Sequence, residues 1–186
     1  TIYEGDLEDG RKMTNLDWAS KSTVACFPAT QNEKFDGNHV LHGFVMPAYS
    51  EVIITVEPNN HRADFSIYGY QVGRNNYPVV PQLNTCTSCE ADYKWDRPKS
   101  GQQQDYRRSI RFNAFQNSYN VILGVSAANG LTKCAYTVKI KLISKDKNAL
   151  PQEKMKIYSA PSEANNTKIY LGDLKDGVQV QDLSWA

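Results

Sequence analysis

The sequence predicts an all-β protein, a two-sheet antiparallel β-sandwich of about eight short strands. Three observations predict it. Apolar and polar residues alternate at period two in several short segments. Turn-forming clusters, "PNN", "GRNNYP", "NAFQNS" and "AANG", separate those segments at fairly regular spacing. No window carries the 3.6-residue apolar period of an amphipathic helix.

The strands follow in chain order. "STVACFPAT" is the first, closed by Pro28, and "HVLHGFVM" the second, closed by Pro47. "EVIITVEP" is more continuously apolar, as a strand covered on both faces would be. "ADFSIYGY" sends Phe65 and Ile67 inward. In "SIRFNAF", Ile110, Phe112 and Ala114 share one face, and Arg111 and Asn113 the other. "SYNVILGV" aligns Tyr119, Val121, Leu123 and Val125. "AYTVKIKL" aligns Tyr136, Val138, Ile140 and Leu142 against Thr137, Lys139 and Lys141. Outward Lys and Arg fit sheets with one solvated face.

A chain of 186 residues makes one domain, with room for extensions. Hydrophobic content of 40% and charged content of 22% are those of an ordinary globular domain. Net charge is +1, so no global field draws nucleic acid or an anionic membrane. No apolar run approaches the ~20 residues of a spanning helix. The chain opens at Thr1 without a signal peptide, as a mature or excised segment would. Cys26, Cys86, Cys89 and Cys134 are an even set, and four thiols allow three pairings. The preferred pairing is Cys26–Cys134 across the fold with Cys86–Cys89 as a local clip. Four reduced thiols are the alternative. A zinc site on "CTSC" would need two more ligands, and no second such pair exists. Disulfides would place the protein outside the cytoplasm.

Two stretches break the strand rhythm. Residues 84–108 form a long polar insertion carrying aromatics, and loops of that length are commonly functional. Residues 144–167 read as a connector, within which "KMKIYSA" has strand character. The termini repeat each other: "IYEGDLEDGRKMTNLDWA" from Ile2 returns as "IYLGDLKDGVQVQDLSWA" from Ile169, identical at ten of eighteen positions at a constant offset of 167. Each copy reads as a β-hairpin around a "DG" turn. The offset spans sandwich plus connector, as in a tandem array. The expected organisation is a sandwich module at 1–143, a connector at 144–167, and the start of a second copy at 168–186.

The order of four strand motifs between Asn38 and Ile143 resembles the bacterial pre-peptidase C-terminal domain. "HVLHGFVMPAYSEVIITVEP" looks like the family's opening pair, "ADFSIYGY" like its Asp-aromatic strand, and "SYNVILGV" and "AYTVKIKL" like its closing pair. The insertion at 84–108, with Cys86 and Cys89, departs from the compact family pattern. The resemblance implies a jelly-roll-like sandwich in a secreted protein, with an accessory role beside a peptidase or in binding polysaccharide, protein fibres or calcium. Asp36, Asn38 and Asp64 fall near the family's acidic positions, which makes calcium the candidate cofactor.

No G-x-S-x-G, H-E-x-x-H or phosphate-cradling glycine loop is present, so no enzyme activity is expected. His39 and His42, three apart on one strand, face opposite sides and cannot share a metal. The expected recognition surface is the insertion, through Tyr93, Trp95, Arg97, Tyr106, Arg107 and Arg108, since aromatics and arginine dominate binding hot spots. In the second copy, Ile169, Tyr170, Leu174, Leu183 and Trp185 want burial and are expected to mediate assembly with a neighbouring repeat or another copy. The expected protein is a secreted or cell-surface module for adhesion or for binding carbohydrate or protein. The alternatives are a fibre subunit joined head to tail through the hairpin, and an accessory domain of a secreted hydrolase.

Overall fold

The computed structural model describes residues 1–13, 16, 29–74, 88–91, 106–144 and 156–159. Ten strands lie among them: β1 (Ile2–Asp6), β2 (Arg11–Lys12), β3 (Asn38–Met46), β4 (Ser50–Pro58), β5 (Phe65–Gly73), β6 (Ser88–Glu90), β7 (Arg108–Ala114), β8 (Tyr119–Ala127), β9 (Ala135–Ser144) and β10 (Lys156–Ser159). They form two antiparallel sheets. One is ordered β1-β9-β4-β7, and the other β10-β3-β8-β5-β6, with β2 also pairing β3. β2 takes Asn38 and His39 of the β3 edge, and β10 takes Val40 to Gly43.

The core fills the space between the sheets. Val52, Ile54 and Val56 of β4, Ile110 and Phe112 of β7, and Tyr136, Val138 and Ile140 of β9 face Val40, Phe44, Phe65, Ile67, Val121, Leu123 and Val125. Period-two alternation sets this arrangement, because successive side chains leave opposite faces of a strand. β7 alternates strictly between buried and exposed residues. β4 alternates too, with its second face half-buried, so "EVIITVEP" is not the doubly covered strand its composition suggests. The doubly covered strands are β3, β5 and β8, each buried along nearly its whole length. A 3-10 segment, Ala29–Phe35, lies over their outer face, where Phe35 meets the Tyr68 ring edge-on. The strand expected at "STVACFPAT" falls outside the described residues except for Ala29 and Thr30, which open that 3-10 segment.

The N-terminal segment is not a hairpin. β1 pairs with β9 in one sheet and β2 with β3 in the other. Between them Leu7–Asp9 forms a 3-10 turn, N-capped by Asp6, whose carboxylate accepts from the Glu8 N–H. Leu7 is fully buried in the core beneath that turn. The segment is therefore a crossover between the two sheets. Gly10 passes β3 so closely that a Cβ there would lie 2.1 Å from the His39 carbonyl oxygen. The "DG" pair that suggested a hairpin serves this close approach instead. The expected connector also contributes to the sandwich, since "KIYS" within it forms β10.

Candidate functional site

Tyr93, Trp95 and Arg97 of the predicted recognition loop lie outside the described residues. The loop supplies β6, which pairs with the β5 edge from Ile67 to Gly69. Its C-terminal end enters β7 and divides the remaining three predicted residues. Arg108 is fully buried. It lies on the same face of β7 as Ile110 and Phe112, and its Nε donates to the Phe65 carbonyl at 2.6 Å. Its Nη2 reaches the Asp64 carboxylate at 3.4 Å. Arg108 thus ties β7 to the opposite sheet and is withdrawn from the ligand-contact set.

Tyr106 and Arg107 remain at the surface, Tyr106 half-buried and Arg107 exposed. The Tyr106 ring stacks on exposed His61, with centroids 3.7 Å apart and planes within 14°. The Tyr106 hydroxyl donates to Glu57 at 3.1 Å. Glu57 also holds Lys139. The Lys139 hydrogen bond, with lesser help from Tyr106 and Arg107, keeps the Glu57 carboxyl below its usual range. An aromatic pair, a carboxylate and cations thus meet on one surface. Sequence reasoning missed His61, Glu57 and Lys139. Glu57 and Lys139 sit at outward positions of their strands, and no local signal marks His61 as the partner of a tyrosine so distant in the chain.

The predicted calcium ligands are engaged elsewhere. Asp36 accepts from the Gly130 N–H at 2.8 Å, which caps a turn where Asn129 and Gly130 both have positive φ. The Asn38 amide nitrogen donates to the carbonyls of Leu7, Gly10 and Thr132, fastening the crossover to β3. Asp64 lies between Lys34, at 2.9 Å, and Arg108. Two cations beside one carboxylate make a poor calcium site, which wants several uncompensated oxygens. Among the described residues no group of three or more His, Cys, Asp or Glu could hold a metal ion.

Cys134 carries a free thiol, so the expected Cys26–Cys134 bridge is not formed. Its backbone is held by Asp6 and Leu7, and its sulfur turns to the Ala135 carbonyl at 3.5 Å. An even cysteine count does not say which thiols meet. Cys89 is disulfide-bonded, and the expected Cys86–Cys89 pairing involves Cys86, which lies outside the described residues.

The histidines of β3 face opposite sides and each meets its own tyrosine. His39 Nε2 lies 2.8 Å from the Phe35 carbonyl and donates to it, leaving Nδ1 to accept from Tyr68 at 3.1 Å. His42 Nε2 meets the Tyr136 hydroxyl across the core at 2.7 Å. Burial lowers both to about 4, opposed at His39 by the Phe35 carbonyl. Burial, then Asp9 and Asp6, pushes the Tyr136 phenol up. These groups are neutral struts of the core.

The fold defines the class of the protein: a two-sheet antiparallel β-sandwich with a crossover at its N-terminal segment. Among solved structures the chain is similar to a crystal structure of the pre-peptidase C-terminal domain of collagenase from Bacillus anthracis. The two are 12% identical, over 76% of this chain and 88% of that one, with a TM-score of 0.38. No family model and no curated protein matches the chain. No helix among the described residues is long and apolar enough to cross a membrane.

Proposed function

We propose that this chain is a non-catalytic module of an extracellular protein, and that it binds polysaccharide through the surface around Tyr106 and His61. The observation that carries this reading is the stacked, accessible ring pair beside Arg107, Glu57 and Lys139. A flat aromatic face suits the C–H face of a pyranose ring. The carboxylate and the cations flanking it suit hydroxyls and acidic substituents, through charge-assisted hydrogen bonds. Surface aromatics and arginine are also the residue types that concentrate binding energy. Tyr106 and His61 lie outside the strands, and Glu57 and Lys139 point outward from β4 and β9, so loss of the ring pair leaves the sandwich intact.

A glycan array probed with and without calcium tests the reading. Binding is expected in both conditions, because Asp36, Asn38 and Asp64 are engaged within the protein. Tyr106→Ala and His61→Ala are expected to lower affinity about tenfold or more, as hot-spot truncations do, with little change in melting temperature. An array with no bound glycan, or variants that bind as the parent does, refutes it.

A further inference from the structure

The crossover from Ile2 to Met13 lies in a slot between β9 and β3 that makes a separate demand on each inward residue. Tyr3 packs against the core. Gly5 lies under the Tyr136 ring, where a Cβ would come within 2.7 Å of it. The Asp6 carboxylate accepts from the N–H groups of Glu8 and Cys134. Leu7 is fully buried, and Gly10 leaves no room for a Cβ against His39. The second copy supplies Tyr170, Gly172, Asp173, Leu174 and Gly177 at the same five places. From residue 2 to residue 13 the copies differ at five positions: Glu4/Leu171, Glu8/Lys175, Arg11/Val178, Lys12/Gln179 and Met13/Val180. The first four are exposed in the crossover, and the fifth exchanges one apolar side chain for another. Identity therefore follows contact with the slot, with Ile2 and Asp9 the exposed positions that do not change.

We propose that residues 169–180 are a second crossover element whose partner is the β9/β3 slot of another copy of this chain. One contact sets the preference between the two occupants. Glu8 pairs with Lys133. The copy carries Lys175 at that position, which would meet Lys133 with like charge. A chain's own N-terminal segment thus holds its slot against the incoming copy. Lys133→Glu weakens that preference, repelling Glu8 and attracting Lys175. This inference does not depend on the ligand surface.

The test uses the full-length chain, a labelled peptide of residues 168–186, and sedimentation. The peptide is expected to bind Lys133→Glu chains about two- to fivefold more tightly than the parent, as befits one exposed ion pair. A Lys175→Glu peptide is expected to reverse that order. A Gly177→Val peptide, whose side chain would strike the β3 backbone, is expected to bind neither. Full-length Lys133→Glu chains are expected to associate, and to become monomeric again when Leu174→Asp is added. Peptide binding that ignores Gly177→Val or the charge exchange overturns the proposal. So does a peptide that binds neither protein while the Lys133→Glu chain stays monomeric.

Discussion

Arg108 shows how one residue's position on a strand outweighs its chemical type. Its guanidinium is enclosed between the sheets and satisfied by Phe65 and Asp64. A buried ion pair broken on one side typically costs ~3–5 kcal/mol, because the remaining group loses its partner. Arg108→Ala is expected to destabilise the fold by about that amount, read as a lowered urea midpoint. A loss below ~1 kcal/mol would mean that Lys34 alone compensates Asp64. The signal was present in the sequence: Arg108 falls in phase with Ile110, Phe112 and Ala114, on the inward face. The neighbouring Arg107 drew the pair toward a surface reading. His39 and His42 carry a second residue-scale consequence. Each has a folded pKa of about 4 against 6.5 for the exposed ring, the shift coming from burial. The unfolded chain therefore binds protons that the fold excludes, and stability rises with pH across this window. The stabilisation is whole above pH 6.5 and is lost as pH falls toward 4, on the order of 3 kcal/mol per histidine. Between pH 6.5 and 5 ordinary carboxylates stay ionised, so a decline in unfolding free energy there belongs to the histidines. A flat profile would remove them from the core. Cys134 adds a third test: thiol titration of unfolded, unreduced protein is expected to find at least one free thiol per chain, and none would require a bridge at Cys134.

At the scale of elements, period-two alternation located β5, β7, β8 and β9, because successive side chains of a strand leave opposite faces, while β3 and β4 were read from apolar runs ending at proline. Alternation does not say which strands pair. The N-terminal segment reads as a hairpin from its "DG" turn, yet β1 and β2 find their partners in different sheets. The hydrogen bond from the Thr1 amine to Ile140 spans 139 residues of sequence, a contact no local pattern encodes. The same limit hid the His61–Tyr106 stack and therefore most of the candidate site. What the repeat did disclose was which residues the crossover needs, since Gly5, Asp6, Leu7 and Gly10 all recur. Gly10→Ala tests the crossover. Its φ is −102°, so the backbone itself accepts alanine, and the cost comes from collision with the β3 carbonyl. Overpacking of this kind costs ~1–3 kcal/mol. Leu7→Ala, which removes a fully buried side chain, is expected to cost ~2–5 kcal/mol. Unfolding midpoints unchanged in both variants would show that the crossover is not part of the stable fold.

For the whole molecule, the two sheets are unequally enclosed, and that predicts an order of local opening. β3, β5 and β8 are buried on both faces, and β8 lies between the other two with ladders on each side. β9 and β4 are central in their sheet but carry outward residues that are exposed or half-buried. β1, β2, β7 and β10 end a sheet or cap a strand edge. Amide exchange requires opening, whose free energy runs from near zero at frayed edges to the global value in the core. The amides of β8 are therefore expected to exchange slowest, with β3 and β5 close behind, then β4 and β9. The crossover should exchange earlier than any of these, despite the burial of Leu7, because both its strands are edge strands. Its two halves should nevertheless open together, since Asn38 binds the carbonyls of both Leu7 and Gly10 and one displacement frees both sheets at once. Hydrogen exchange read by mass spectrometry on peptides covering residues 1–13 and 119–127 tests this directly. Protection of the crossover equal to that of β8 would tie it to global unfolding, and a slot that opens only when the whole sandwich does cannot exchange its occupant under native conditions.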